Sequence, residues 1–176
     1  AWKMAKADGE IGLALDAAHM MGIVSDQAGQ VEWNEMAIAL AEASDDPQAR
    51  MWLGALYNNT GWTYHDMGEY EQALGLWEKG LAFREEIGSQ HEIQIARWTI
   101  ARAYRSLERY DEAIELQNLI IEDREQYKLK PSGYAYEELG ELYLVKDQAR
   151  KAQENFAKAY ELLSKDRWMM ENEVER

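Results

Sequence analysis

The chain has no cysteine. That excludes a disulfide framework and thiolate chemistry, and leaves the redox compartment open. It has 2 prolines in 176 residues and few β-branched runs. Ala, Leu, Glu, Gln, Arg and Met dominate instead, all good helix formers. No apolar run approaches the roughly 18 residues that a membrane-spanning helix needs. Positive charge is scarce: 19 Lys and Arg stand against 33 Asp and Glu, for a net charge of −14. So acidic a chain repels phosphate backbones and anionic lipid headgroups, which argues against nucleic acid and membrane surfaces as partners. Phenylalanine is the rare aromatic, 2 against 7 Trp and 10 Tyr. Trp and Tyr are amphipathic rings suited to packing seams and binding surfaces. The remainder is ordinary for a folded chain, 47% hydrophobic and 30% charged, with length enough for a real core. The first residues, AWKMAKADGE, carry no signal-peptide pattern. With the missing cysteine, this points to a cytoplasmic protein.

What is present is a spacing. Gly61, Tyr64, Ala73, Trp77 and Gly80 fall at offsets 0, 3, 12, 16 and 19 within one helical stretch. Ala101, Tyr104 and Ala113 repeat the start of the pattern, and Gly140, Tyr143, Ala152, Phe156 and Ala159 repeat nearly all of it. A weaker copy holds Ala18, Met21, Ala37 and Ile38. The units run 11–44, 54–87, 94–127 and 133–166, in successive steps of 43, 40 and 39 residues. A period of this length with a small–large signature means stacked helix pairs. The small residues let two helices approach closely, and the large ones fill the space beside the contact. Trp77 and Phe156 are expected to reach toward the next pair. Each pair buries only part of its apolar face, so neighbours must stack.

Helix punctuation agrees. The spacing predicts helices over about 8–24, 26–44, 46–67, 70–87, 89–107, 111–127, 132–145 and 148–164. Asp46 followed by Pro47 reads as an N-cap with a first-turn proline. Ser89 with Glu92 reads as a capping box. Asp166 is placed to cap a last helix over 167–176, a cover for the end of the stack.

The pattern resembles the tetratricopeptide repeat, through Gly61, Tyr64, Gly68, Tyr70, Ala73, Trp77, Gly80 and Leu81 in the second unit. The third unit joins through Ala101, Tyr104, Tyr110 and Ala113, and the fourth through Leu139, Gly140, Tyr143, Ala152, Phe156 and Ala159. Gln30 stands where the family has a small residue, Asn34 and Gln117 where it has a large aromatic, and Ile120 where it has a small one. The family's late proline is missing from every unit. Units near 40 residues resemble the variant with extended helices. The resemblance implies an all-α, right-handed superhelix of antiparallel helix pairs, one continuous domain over 1–176. Residues 1–7 then read as the end of a preceding helix, with at least one further repeat expected upstream.

The resemblance also implies that the first helix of each pair lines a concave face. The second, fifth, sixth, ninth and twelfth positions of each unit fall on it. These hold Asp16 and His19; Asn58, Asn59, Trp62 and His65; Trp98, Arg102 and Arg105; and Tyr134, Glu137, Glu138 and Glu141. Trp, Tyr and Arg dominate interaction hot spots, Asn can bond both edges of an extended peptide, and Arg grips a carboxylate with two parallel bonds. The expected peptide-binding set is Asn58, Asn59, Trp62, His65, Trp98, Arg102, Arg105, Tyr134 and Glu138. Asn58-Asn59-Thr60-Gly61 is a costly choice inside a helix, which argues for a role beyond propensity. A competing reading packs Trp62 and Trp98 between neighbouring first helices and neutralises Arg102 and Arg105 with Glu138 and Glu141. The family's carboxylate clamp is not matched: Ile95 and Thr99 stand where it needs basic residues, and Leu15 and His19 where it needs Lys and Asn.

Catalysis finds little support. His19, His65 and His91 have no second His or Cys at metal spacing on one helix face. His65 and Asp66 are adjacent, so on a helix their side chains point about 100° apart. There is no phosphate loop, dinucleotide fingerprint or nucleophile elbow. Glu137, Glu138 and Glu141 read as a solvated helix face, and Met20-Met21 and Met169-Met170 as adaptable packing. The sequence therefore reads as a protein-interaction module, not an enzyme, with no cofactor and a peptide or helix as partner. The alternatives are a self-associating scaffold, joined through its ends or convex face into a homo-oligomer, and a small-molecule sensor domain of a bacterial regulator.

Overall fold

The computed structural model describes residues 1–165, and over them the chain is helical without a strand. The helix expected over 167–176, its Asp166 cap and Met169-Met170 lie outside the described residues. The helices are α1 (Trp2–Ala7), α2 (Ile11–Val24), α3 (Gln27–Glu42), α4 (Pro47–Arg50), α5 (Leu53–Asp66), α6 (Tyr70–Ile87), α7 (Gln90–Ser106), α8 (Tyr110–Gln126), α9 (Gly133–Val145) and α10 (Ala149–Leu163). They gather into two compact units, Ala1–Ala96 and Arg97 onward.

Local chemistry sets most of the ends. Asp26 caps α3 by accepting from the Gly29 amide at 2.9 Å, and Asp46 caps α4 by accepting from Gln48 at 2.9 Å. Ser132 does the same for α9, accepting from Ala135 at 3.3 Å. Two ends differ from the sequence expectation. The helix expected from residue 8 starts at Ile11, because Gly9 at φ +75 closes α1 first. The helix expected over 46–67 is interrupted at Met51-Trp52, where the Trp52 amide turns to the nearer acceptor Ala49 O at 3.2 Å. Glu92, expected in a capping box with Ser89, carries its carboxylate to Arg84 at 3.4 Å.

One turn recurs at the end of α5, α7 and α9. The amide three residues past each helix end bonds back five residues: Glu69 to Tyr64 at 2.9 Å, Arg109 to Tyr104 at 2.8 Å and Gln148 to Tyr143 at 2.8 Å. This closure satisfies orphan carbonyls and needs one residue with positive φ. Gly68 supplies it at +81, where only glycine is unstrained; Glu108 and Asp147 adopt the same turn at +60 and +55.

In the first unit, α2 packs on α3 and α5 on α6. The core holds Leu15, Ile38, Leu53, Leu56 and Tyr57, with the half-buried Trp2, Trp33 and Trp52 laid against it. Trp2 meets Trp33 edge-on at 6.1 Å. The closest approach is at Gly61. A Cβ there would stand 2.3 Å from the Trp77 Nε1, inside the indole. Trp77 is 2% exposed and donates to the Asn58 carbonyl at 3.2 Å. Burying a ring of that size stabilises by about 4 to 6 kcal/mol. Bonds between successive pairs also form here: Tyr57 donates to Glu42 at 2.7 Å, Tyr64 to Glu35 at 2.5 Å and Thr63 to Gln30 at 3.0 Å.

In the second unit, α9 packs on α10 and α8 on α9. Gly140 takes Phe156 as Gly61 takes Trp77, a Cβ there standing 2.6 Å from the ring. Trp77 and Phe156, expected to reach toward a following pair, thus lie across the glycine of their own. The third repeat has Ala101 and Gln117 at these positions. Both are fully buried, and among the described residues neither amide atom of Gln117 finds a hydrogen-bond partner. Arg97 pairs with Asp123, each side chain 18% exposed.

Gly61→Ala is expected to cost about 2 kcal/mol or more, since the indole must move. Adding Trp77→Gln, the pairing of the third repeat, should remove the clash and make the two changes non-additive in urea unfolding. Gln117→Leu should raise stability by about 1 to 3 kcal/mol by removing two orphaned buried groups.

Candidate functional site

Each unit carries its own part of the expected binding face. In the first, α5 presents Asn58, Asn59, Trp62 and His65. Asn59 is exposed, and its side-chain oxygen accepts from Asn58 Nδ2 at 3.2 Å. Trp62 and His65, a turn apart, share a ring cluster with the signature residues Tyr70 and Trp77. Trp62 meets Trp77 at 5.0 Å and His65 at 5.5 Å, and His65 meets Tyr70 at 5.0 Å and Trp77 at 5.7 Å. The edge and tilted geometries suit ring quadrupoles. One side of Trp62 is thereby fixed, while the residue stays half-buried. On α2, Asp16 is exposed and His19 meets Trp52 edge-on at 5.8 Å.

In the second unit, α7 presents Trp98, Arg102 and Arg105, and α9 presents Tyr134, Glu137, Glu138 and Glu141. The Trp98 indole donates to the Tyr134 carbonyl at 3.5 Å, and the two rings lie 6.5 Å apart, edge to face. Arg102 donates to Glu138 at 3.2 Å. Arg105 also pairs with Glu138, and reaches Glu141 at 3.9 Å. Glu138, read from sequence as part of a solvated face, is 4% exposed. The reason is the two guanidinium groups, which let a carboxylate enter a dry site. Burial still pushes its carboxyl above the usual range, with the Arg105 charge pulling it back and Glu141 and Glu137 adding to the rise. Arg102 remains 34% exposed at its side chain.

The structure brings Trp98, Arg102, Arg105, Tyr134 and Glu138 onto one surface of the second unit. It brings Asn58, Asn59, Trp62 and His65 onto one helix of the first. Tyr70 and Trp77, which fix Trp62 and His65, were absent from the expected set, although both were visible as signature positions. Met20 and Met21, expected as packing, are 53% and 41% exposed. Among the described residues, no group of His, Asp and Glu is arranged to hold a metal ion. No described helix is long and apolar enough to cross a membrane.

Comparison with known proteins gives the following. Residues 48–126 match the family model described as tetratricopeptide repeat. No curated protein matches the sequence. Among solved structures, BtubC from P. vanneervenii superposes with a TM-score of 0.70 at 17% identity, over 91% of this chain and 66% of its own. The TPR domain of Arabidopsis FLU gives 0.61 at 17%, over 66% of this chain and 98% of that domain. A putative kinesin light chain of Podosopora anserina with nearly identical TPR-like repeats gives 0.62 at 18%, over 93% and 91%. At these identities the likeness is one of fold.

The carboxylates give opposite pH signatures. Glu138 is raised in the folded chain, so it binds protons there that the unfolded chain has released. Its contribution therefore falls as pH rises from the ordinary carboxylate value of 4.5 through its own, and levels off above. Glu42 is lowered, chiefly by the bond from Tyr57, so its contribution is present above 4.5 and is lost as pH falls through its own value. Subtracting Glu138→Gln and Tyr57→Phe unfolding profiles from wild type should give slopes of opposite sign. Parallel slopes would contradict this geometry.

Proposed function

We propose that this chain, whose residues 48–126 match the tetratricopeptide-repeat family, is a tetratricopeptide-repeat protein-interaction module that takes a peptide or helix of a partner on the exposed faces of its first helices. The observation that carries the reading is the state of the rings. Trp62, Trp98 and Tyr134 are each anchored by the fold yet half-buried. A ring held in place loses little freedom on binding, so modest contacts give useful affinity. In the first unit Asn59, exposed, shares the helix of Trp62, and in the second Arg102, which spends one donor on Glu138, shares the helix of Trp98. Asn offers a peptide backbone both a donor and an acceptor, and the open edge of a guanidinium offers parallel donors. Glu138 and Glu141 balance the arginines, so apolar contact and main-chain bonding supply the affinity, and Arg102 adds direction. The reading requires no cofactor and no catalytic group.

A random-peptide display selection tests this, run on wild type beside a Trp62→Ala, Arg102→Ala variant. Wild type should enrich a consensus that the variant loses at unchanged helical circular dichroism. Synthetic consensus peptide should bind the variant at least about tenfold more weakly, the loss expected of a hot-spot truncation. Enrichment of nothing by either protein would refute the reading.

A further inference from the structure

Two helices of the second unit meet in matched register. Trp98, Arg102 and Arg105 recur at i, i+4 and i+7 on α7, and Tyr134, Glu138 and Glu141 do the same on α9, so each set shares one helix face. Each α9 residue comes 36 positions after its counterpart on α7. Trp98 meets Tyr134 ring to ring, Arg102 meets Glu138, and Arg105 meets Glu141 as well as Glu138. The result is a ladder with one aromatic rung and two ionic ones.

Depth orders the ionic rungs. The Glu138 side chain is 5% exposed, Arg105 22%, Arg102 34% and Glu141 43%. Glu138 is thus the innermost of the four charges, and both guanidinium groups turn to it. With Glu141 at the rim, two positive and two negative charges sum to zero. Glu137 adds negative charge near the same carboxylate, since it and Glu141 both push the Glu138 carboxyl up. A carboxylate held by two guanidinium groups already fills the place that a ligand's carboxylate would take. An acidic group arriving from outside finds the arginines answered and meets Glu141 as a like charge. Uncharged groups meet no such opposition. Main-chain carbonyls can accept from the outer edge of Arg102, and apolar side chains can lie on the half-buried rings of Trp98 and Tyr134.

We propose, resting on the interaction reading above, that Glu138 is the specificity-determining residue of this surface: a built-in counter-ion that admits an apolar, uncharged peptide segment and turns away an acidic one. Specificity of this kind comes from a repulsive element as much as from an attractive one. Arg102 and Arg105, of the residue type that otherwise grips carboxylates, are thereby kept for main-chain oxygens. Removing the Glu138 charge reverses the preference. Glu141 still answers Arg105, at 3.9 Å. Arg102 loses the one carboxylate it bonds among the described residues, and becomes a site for an anion.

Random-peptide display on the full chain tests this, run in parallel on wild type, Glu138→Gln and Glu141→Gln. Wild type should enrich segments with apolar residues and no Asp or Glu, and Glu138→Gln should enrich segments that carry Asp or Glu. A merely structural role for Glu138 would weaken all selection alike and leave the charge preference in place. Synthetic peptides supply the magnitude. One Asp placed in the wild-type consensus should weaken binding to wild type about tenfold and strengthen binding to Glu138→Gln. Glu141→Gln changes the most open of the four charges, and should reduce that Asp penalty without reversing it. Acidic peptides enriched by wild type, or one charge preference shared by wild type and Glu138→Gln, would overturn this inference and leave the interaction reading standing. Enrichment of nothing by all three proteins would overturn both. If Glu138→Gln loses its helical circular dichroism, Glu141→Gln decides, and an Asp penalty equal to that of wild type would overturn the inference.

Discussion

The close approach of two helices at a glycine governs this structure. At Gly61 and Gly140 the missing Cβ lets an aromatic ring from the second helix lie across the backbone of the first. That contact fixes how those two helix pairs cross and which of their positions remain outside. In the second repeat the ring is an indole, and its polar edge finds the Asn58 carbonyl at 3.2 Å. Trp77 thereby ties the core to the segment that displays Asn58, Asn59 and Trp62. The display surface and the core share one residue.

The third repeat shows what happens when this contact is exchanged. Ala101 and Gln117 replace the glycine and the ring. In the same repeat Arg102 and Arg105 take the positions that Trp62 and His65 hold one repeat earlier. An aromatic cluster has become a polar one, and α9 answers with Glu138, buried against both arginines. Buried charge needs such partners, and Gln117 lacks one. The second unit therefore holds its candidate residues by ion pairing, where the first holds them by ring packing. Salt should matter more to the former, because the half-buried Arg102 is still open to screening.

Most of the architecture was legible in the sequence because its signal is steric and periodic. The repeating turn after α5, α7 and α9 follows from the small–large spacing even where Glu108 and Asp147 stand in for glycine. Asp46-Pro47 marked a helix start by cap chemistry alone. What escaped were features decided by distant partners. The interruption at Met51-Trp52 is a shift of one amide to a nearer acceptor, with no residue type to announce it. The burial of Glu138 depends on two arginines over thirty positions away, so its own helix looks solvated. The direction of Trp77 depends on which helix carries the glycine it covers. The candidate site residues were recognisable by type and position, and the pairing of Arg102 and Arg105 with Glu138 and Glu141 was readable as the competing reading, whereas Tyr70 and Trp77 as partners of His65 and Trp62 emerge only from the folded chain.

The central claim is that the first helix of each pair is the recognition face. Amide and indole chemical-shift mapping of the chain with a display-selected peptide tests it most directly. The account expects the largest shifts along α5, α7 and α9, with the Trp62 and Trp98 indoles among them and the Trp77 indole little moved. Shifts concentrated on α6, α8 and α10 would contradict it.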